Sequence, residues 1–423
     1  MKAFNWLEER VTEPRAGILG AGLINLAFCL AVFLAVWRVF MDPGGYLRMY
    51  TPMYGYSYVQ WFLVAILFNV LVFKYWPLSR SFLVEKHPLM RGGVLLALNV
   101  AFVFFVIRIA FQKVLGTMGI PYFSEDVLAT LKINPFNARE YSSAAILYMG
   151  GMCGLIIPIW TLHLNNWPAL EIPGGKGYFT SFLLVMFFVV TGFILLLHPH
   201  FGIIFYPWQK FAAAFPWWEP NFGTLSGLFN LGWMMCWTSA LWIIQVTYEG
   251  YPFRLIGKQP WRAIAGILGT LLLGMVFYTA FFLLQELAWG PAVRGSRLMM
   301  AAEWRYLHSG EIAMFVLLIS LVLGHYFGNW PTKYPTEVNH LVRTAIIGVG
   351  TVIFYNLYYK FSPAILGTQP GYASPLQFPL ASLSLFIALL LVHSWYMDRW
   401  PGEKVVSPMG SAERKAPART TSG

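Results

Sequence analysis

Three histidines, His163, His325 and His393, each stand one to two helical turns before a Trp-Pro pair: Trp167-Pro168, Trp330-Pro331 and Trp400-Pro401. Neutral imidazoles arriving from different helices at one depth are what a bis-histidine haem b or a transition metal requires. His198, His200 and His308, toward the opposite ends of their segments, would supply a second such site. A histidine near a helix carboxyl end also interacts well with the helix dipole, which accounts for the first three without any cofactor. His198 and His200 alone, two ligands from one stretch of chain, do not fix a metal.

A second set suits solute recognition. Arg108 lies inside the apolar run Phe102–Phe111. An arginine several residues inside a membrane span is costly and normally faces a partner or a wet cavity. Glu286 and Glu311, at the ends of two later apolar runs, are the expected partners, and Arg108 with Glu311 would guard an outer entrance. Gly150, Gly151 and Gly154 precede Pro158, a composition that predicts an interrupted helix. Gly348, Gly350 and Asn356 recur in a later run, so a five-plus-five repeat would place two broken helices opposite one another. Paired interruptions of that kind mark substrate sites in secondary transporters. Asn69, Asn99, Asn230, Gln245 and Tyr278 add uncharged polar groups, whereas no acidic residue falls near the middle of a predicted span.

The elements that must carry these residues follow from composition. Of 423 residues, 58% are hydrophobic and only 11% charged, against about 25% charged in soluble domains. Such a chain cannot cover a water-facing surface. Apolar runs long enough for ~30 Å of hydrocarbon lie near 17–40, 56–76, 92–111, 143–164, 179–198, 222–246, 262–285, 311–328, 337–359 and 375–397. The expected fold is therefore an all-α polytopic integral membrane protein of about ten transmembrane helices.

Every second run ends on an aromatic-proline pair: Trp76-Pro77, Trp167-Pro168, Tyr251-Pro252, Trp330-Pro331 and Trp400-Pro401. Aromatic rings prefer the headgroup layer and proline cannot continue a helix, so the pattern predicts five hairpins returning to one membrane face. With the amino terminus inside, cytoplasmic segments hold 17 Lys and Arg, outer loops 8, and span ends 4. Both termini are thus expected in the cytoplasm of a bacterial-type inner membrane. The net charge of +11 reflects this bias and calls for no nucleic acid.

The expected organisation is a cytoplasmic segment 1–16, a helical domain 17–397 and a basic, disordered tail 398–423. On the outer face, 124–134 reads as a short amphipathic helix capped by Ser124 and ended by Pro135. The aromatic stretch 199–221 reads as an interfacial or re-entrant loop. Cys29, Cys153 and Cys236, all within spans, read as packing residues. The chain lacks a P-loop, a dinucleotide fingerprint, a zincin motif, a haem-attachment motif and a nucleophile elbow. Gly174-Gly175-Lys176-Gly177 lacks the Ser or Thr of a phosphate loop and reads as a turn.

The leading expectation is a permease for a small organic solute, with no cofactor, using Arg108, Glu311, Gly150, Gly151, Gly154 and Asn356. The alternative is a membrane subunit of a redox or monooxygenase-like complex, holding haem, metal or quinol through its histidines. A purely structural subunit docking partner membrane proteins is a third. Lipid bilayer and small solute are the expected partners.

Overall fold

The computed structural model describes residues 10–78, 83, 86–197, 227–293, 300–368 and 374–408. Almost all of them are helical. The helices are α1 (Gly17–Met41), α2 (Tyr54–Val72), α3 (Pro88–Leu115) and α5 (Pro135–His163), each ending in π-helical turns. They continue as α6 (Gly175–Leu196), α7 (Gly227–Val246), α8 (Trp261–Trp289), α9 (Ala302–Tyr326), α10 (Thr336–Leu366) and α11 (Leu380–Tyr396). A short α4 (Glu125–Thr130) precedes α5. Among the described residues eight helices are long and apolar enough to cross a membrane; α11 is shorter but equally apolar.

Burial separates these helices into two kinds. The most apolar stretches of α2 and α5 are 78% buried, whereas those of α6 and α8 are 22% and 17% buried. In α11 every residue from Leu380 to Tyr396 is buried. The buried helices α2, α5, α7, α9 and α11 pack on one another in that order, and α11 packs back on α2, which closes a ring. The remaining long helices lie outside it. Each outer helix buries one narrow stripe at about four-residue spacing, such as Gly177, Ser181, Val185, Val189 and Phe193 on α6. Small residues on these stripes let backbones approach closely where lipid supplies no hydrophobic drive. The other faces remain apolar, as lipid contact demands, so the outer helices show little amphipathic contrast.

The outer helices follow a rule of position. α3 lies on α2 and on the end of α11, α6 on α5 and the end of α2, and α8 on α7 and the end of α5. α10 lies on α9, and its Arg343 reaches the Thr247 carbonyl at the end of α7. α1 lies on α11 and α9, the place of a helix that followed α11.

The five aromatic-proline exits share one backbone conformation. In each, the two residues before the aromatic have positive φ: Lys74 and Tyr75, Asn165 and Asn166, Glu249 and Gly250, Gly328 and Asn329, Asp398 and Arg399. The left-handed region costs an L residue about 1–2 kcal/mol, less for Asn or Asp and nothing for Gly. Asn, Asp and Gly fill six of these ten positions. The second left-handed N–H reaches back six residues, from Tyr75 to Asn69, Asn166 to Trp160, Gly250 to Ile244, Asn329 to Leu323 and Arg399 to His393. Each aromatic–proline peptide is cis.

Several expectations require correction. α5 runs unbroken through Gly150, Gly151 and Gly154 and carries Pro158 within it, one residue before its π-helical turns begin; helices packed in a bundle tolerate such a proline. α10 is likewise continuous through Gly348 and Gly350. α5 belongs to the ring and α10 to the periphery, so they are not counterparts in a five-plus-five repeat. Ser124 caps α4, accepting from the Val127 N–H, but Pro135 starts α5 rather than ending α4. Residues 403–408, expected to be disordered, form strand β2, which pairs antiparallel with β1 (Arg10–Pro14). Residues 199–221 and 409–423 lie outside the described residues.

Candidate functional site

On the axis of the helix ring is a cavity of about 80 Å³. All five inner helices line it, with Gln60 and Leu63 from α2, Gly151 and Gly154 from α5, and Met234 and Thr238 from α7 among them. Met314 and Leu317 of α9 and Ile387 of α11 complete the wall. A smaller chamber shares Tyr56, Leu147, Tyr148, Leu231 and Leu380 with it and extends toward Pro52, Leu307 and Phe378. The wall is mostly aliphatic, with Tyr56, Gln60, Tyr148 and Thr238 as its polar groups. Few polar groups set in an apolar wall is the composition of a small-molecule site.

The three glycines of α5 divide their roles. Gly150 accepts a hydrogen bond from Gln60 Nε2 at 3.2 Å, and a Cβ there would stand 3.0 Å from Gln60 Cγ. Its smallness brings α2 against α5, where Trp61 Nε1 donates to the Ile146 carbonyl at 2.9 Å. Gly151 faces open space, with nothing within 4 Å of an added Cβ. Gly154 does both, lining the cavity 3.3 Å from Gln60 Nε2 by the same measure. Asn356 is not with them. It is exposed on the outer face of α10 and donates to the Val352 carbonyl one turn back.

Arg108 and Glu311 also lie apart. Arg108 donates to Gln112 and to the Tyr54 hydroxyl, both at 3.0 Å, and stands 4.0 Å from Glu125. Glu286 contacts the Ala292 N–H at 3.4 Å. Arg108's acidic neighbour therefore comes from α4, the nearest surface element, rather than from the ends of α8 or α9.

Glu311 is deeper than expected, because α9 begins at Ala302 rather than near 311. It lies about 13 Å along the helix at 1.5 Å per residue. Glu311 is 1% exposed, and its Oε2 meets His308 Nδ1 at 2.7 Å. His308 Nε2 meets the Tyr355 hydroxyl of α10 at 2.9 Å. Trp304 stacks on the His308 ring at 4.4 Å. Arg305, fully buried, donates to the Gly290 carbonyl at 2.6 Å and lies over the Trp289 ring.

The other histidines are held by protein groups. His163 Nδ1 lies 3.2 Å from Gln245 Nε2, and its Nε2 lies 3.5 Å from Thr270 Oγ1. His393 meets the Tyr326 hydroxyl at 2.9 Å and the Trp400 carbonyl at 2.7 Å. The ring of His325 packs edge-on against Trp395. No group of three or more His, Cys, Asp or Glu placed to hold a metal occurs among the described residues. His198 and His200 lie outside them. All three cysteines are free and buried.

A further hollow of about 140 Å³ lies beneath the first two exits, lined by Lys74, Asn166, Gly174, Gly177, Tyr178 and Ser181. Burial there draws the Lys74 ammonium below the usual lysine value. The turn at Gly174, with positive φ, leads into α6 as its first cap.

No protein-family model matches the chain, and neither a curated protein nor a solved structure matches it. Tyr56, Gln60 and Thr238 join the cavity wall from geometry alone. Gln60 and Tyr56 had a usable signal, being polar residues one turn apart within an apolar run.

Proposed function

We propose that this chain spans the membrane ten times as five hairpins, with both ends on the cytoplasmic side of a plasma membrane, and carries a small, largely apolar organic solute. The observation that carries this reading is the axial cavity to which every inner helix contributes. A solute held there would be enclosed by protein rather than lipid. Gln60 and Thr238 would orient a single polar group against an otherwise aliphatic wall. The β1–β2 ribbon supports both ends lying on one face, the Lys and Arg distribution supports that face being cytoplasmic, and Ser124-capped α4 would lie on the opposite surface.

Among the described residues, the ring nitrogens of His163, His308 and His393 have protein partners, and we therefore prefer the solute reading to the haem or metal alternative. Purified protein in liposomes should take up radiolabelled neutral solutes of a few heavy atoms, such as short alcohols and amides. The variant Gly151→Phe should abolish that uptake. Equal leak rates for protein-free, wild-type and Gly151→Phe vesicles across the panel would end the transport reading.

A further inference from the structure

The buried His308–Glu311 pair is not used by the solute site as described. Glu311 Oε1 has no hydrogen-bond partner among the described residues, although the side chain is 1% exposed. A carboxylate oxygen left bare in the membrane interior is expensive, whereas a protonated carboxyl can tolerate such a place. Glu311 lines neither chamber but lies on α9 between two residues that do: Leu307, one turn before it, lines the smaller chamber, and Met314, one turn after it, lines the main one. Tyr56 of α2, shared by both chambers, lies close enough to feel the Glu311 charge.

We propose that Glu311 is a proton-binding site, loaded through His308, whose occupancy is coupled to the axial cavity; the coupling rests on the transport reading, the proton site does not. In the loading step His308, its Nδ1–H facing Glu311, takes a second proton at Nε2 from the half-buried Tyr355 hydroxyl, which is itself reprotonated from water, and becomes an imidazolium. It then gives the Nδ1 proton to Glu311 Oε2, which becomes a neutral carboxyl, while His308 returns to neutral imidazole. His308 keeps the Nε2 proton, and that N–H hydrogen-bonds the Tyr355 hydroxyl oxygen. Charge is conserved in the transfer, and one proton enters from water in the whole sequence.

The surrounding groups suit this role. Arg305 is the fixed cation on the same helix, held by Gly290 and Trp289. α10 presents Tyr355, Tyr358 and Tyr359, and α2 presents Tyr56. From α8, Gln285 bonds Ser309, and the Glu286 carboxylate faces the Ala292 backbone. From α7, Cys236 bonds the Ser309 carbonyl, and α11 presents only Ser382 and Ser384 nearby. Among the described side chains named here, no other carboxylate contacts Glu311.

Two measurements test the proposal separately from transport. Infrared difference spectra of the full chain in lipid, taken between acid and alkaline buffer, should show a protonated-carboxyl band that titrates. That band should vanish in Glu311→Gln and shift its midpoint in His308→Gln. A spectrum without the band, or a band that persists in Glu311→Gln, overturns the proton site. In pyranine-loaded liposomes, solute uptake should acidify the lumen in wild type and not in Glu311→Gln. Uptake with no lumenal pH change overturns the coupling while leaving transport intact. A titrating band in a protein that moves no solute leaves the proton site standing and removes the transport reading instead.

Discussion

The Asn329 side chain donates from Nδ2 to the Val246 carbonyl at 2.7 Å, joining the fourth exit to the third. Two other exits make the equivalent bond. The Tyr75 hydroxyl donates to the Trp395 carbonyl at 2.8 Å, and Asn166 Nδ2 to the Leu71 carbonyl at 3.4 Å. In each case the donor is the second left-handed residue, and the acceptor lies six residues before the proline of the preceding exit. Such carbonyls, in the last turn of a helix, have no partner within it. Each of these three exits thus satisfies its neighbour, always in the same rotational sense.

Asn329→Leu keeps the branched outline of the side chain but strands the Val246 carbonyl and puts a leucine at positive φ, lowering stability by about 1–3 kcal/mol. Thermal unfolding in detergent reads this directly. A variant as stable as wild type would show the bond to be incidental.

The third exit has Gly250 where the others have a side chain that can reach across. Gly250 has φ +81°, a conformation that Asn tolerates best after Gly. An added Cβ would meet only Arg254 Cβ at 3.6 Å and Gln245 Oε1 at 3.7 Å. Gly250→Asn is expected to be neutral or stabilising, within about 1 kcal/mol, whereas Gly250→Val should lose at least that much. The same unfolding measurement separates the two.

Gly232 and Gly310 face each other where α7 crosses α9, and a methyl on Gly232 would overlap the Tyr306 carbonyl oxygen. Gly232→Ala should therefore destabilise by about 1–3 kcal/mol through overpacking. Gly151→Ala, which points into free space, should cost nothing by the same assay. Equal effects from the two substitutions would contradict the packing described.

Arg343 is 3% exposed and bonds the Thr247 carbonyl at 2.9 Å, the Pro331 carbonyl at 3.0 Å and Glu249 at 3.2 Å. Arg343→Met should cost about 3 kcal/mol, the worth of two bonds from a charged donor. Lysine should not restore it, because an ammonium lacks the planar fork that serves two carbonyls at once. Full rescue by Arg343→Lys would mean that charge alone matters at this position.

Much of the helical scaffold was legible because lipid and proline leave plain marks. The apolar runs located the long helices, and the aromatic-proline pairs located helix ends that share one conformation. What sequence missed was the distinction between inner and outer helices. Both are apolar throughout, since one faces protein and the other lipid, so hydropathy does not distinguish Leu383 in the ring from Leu272 outside it. Asn356 was misplaced for that reason. Glu311 was set too shallow because Trp304, Arg305 and His308 resemble a polar loop in sequence, yet they are the first turns of α9. Gly151 and Gly154, expected to interrupt their helix, instead make room beside a continuous one.

The β1–β2 ribbon has a topological consequence. α1 lies against α11 and α9, as an outer helix leading from the fifth exit would, and the ribbon holds the approach to α1 beside the strand that leaves that exit. It acts as a non-covalent splice, replacing the peptide link that joins exit to outer helix at the other four joints. A permuted gene that fuses Pro408 to Arg10 through a short linker and reopens the chain at Gly257 should still encode the same circle of helices.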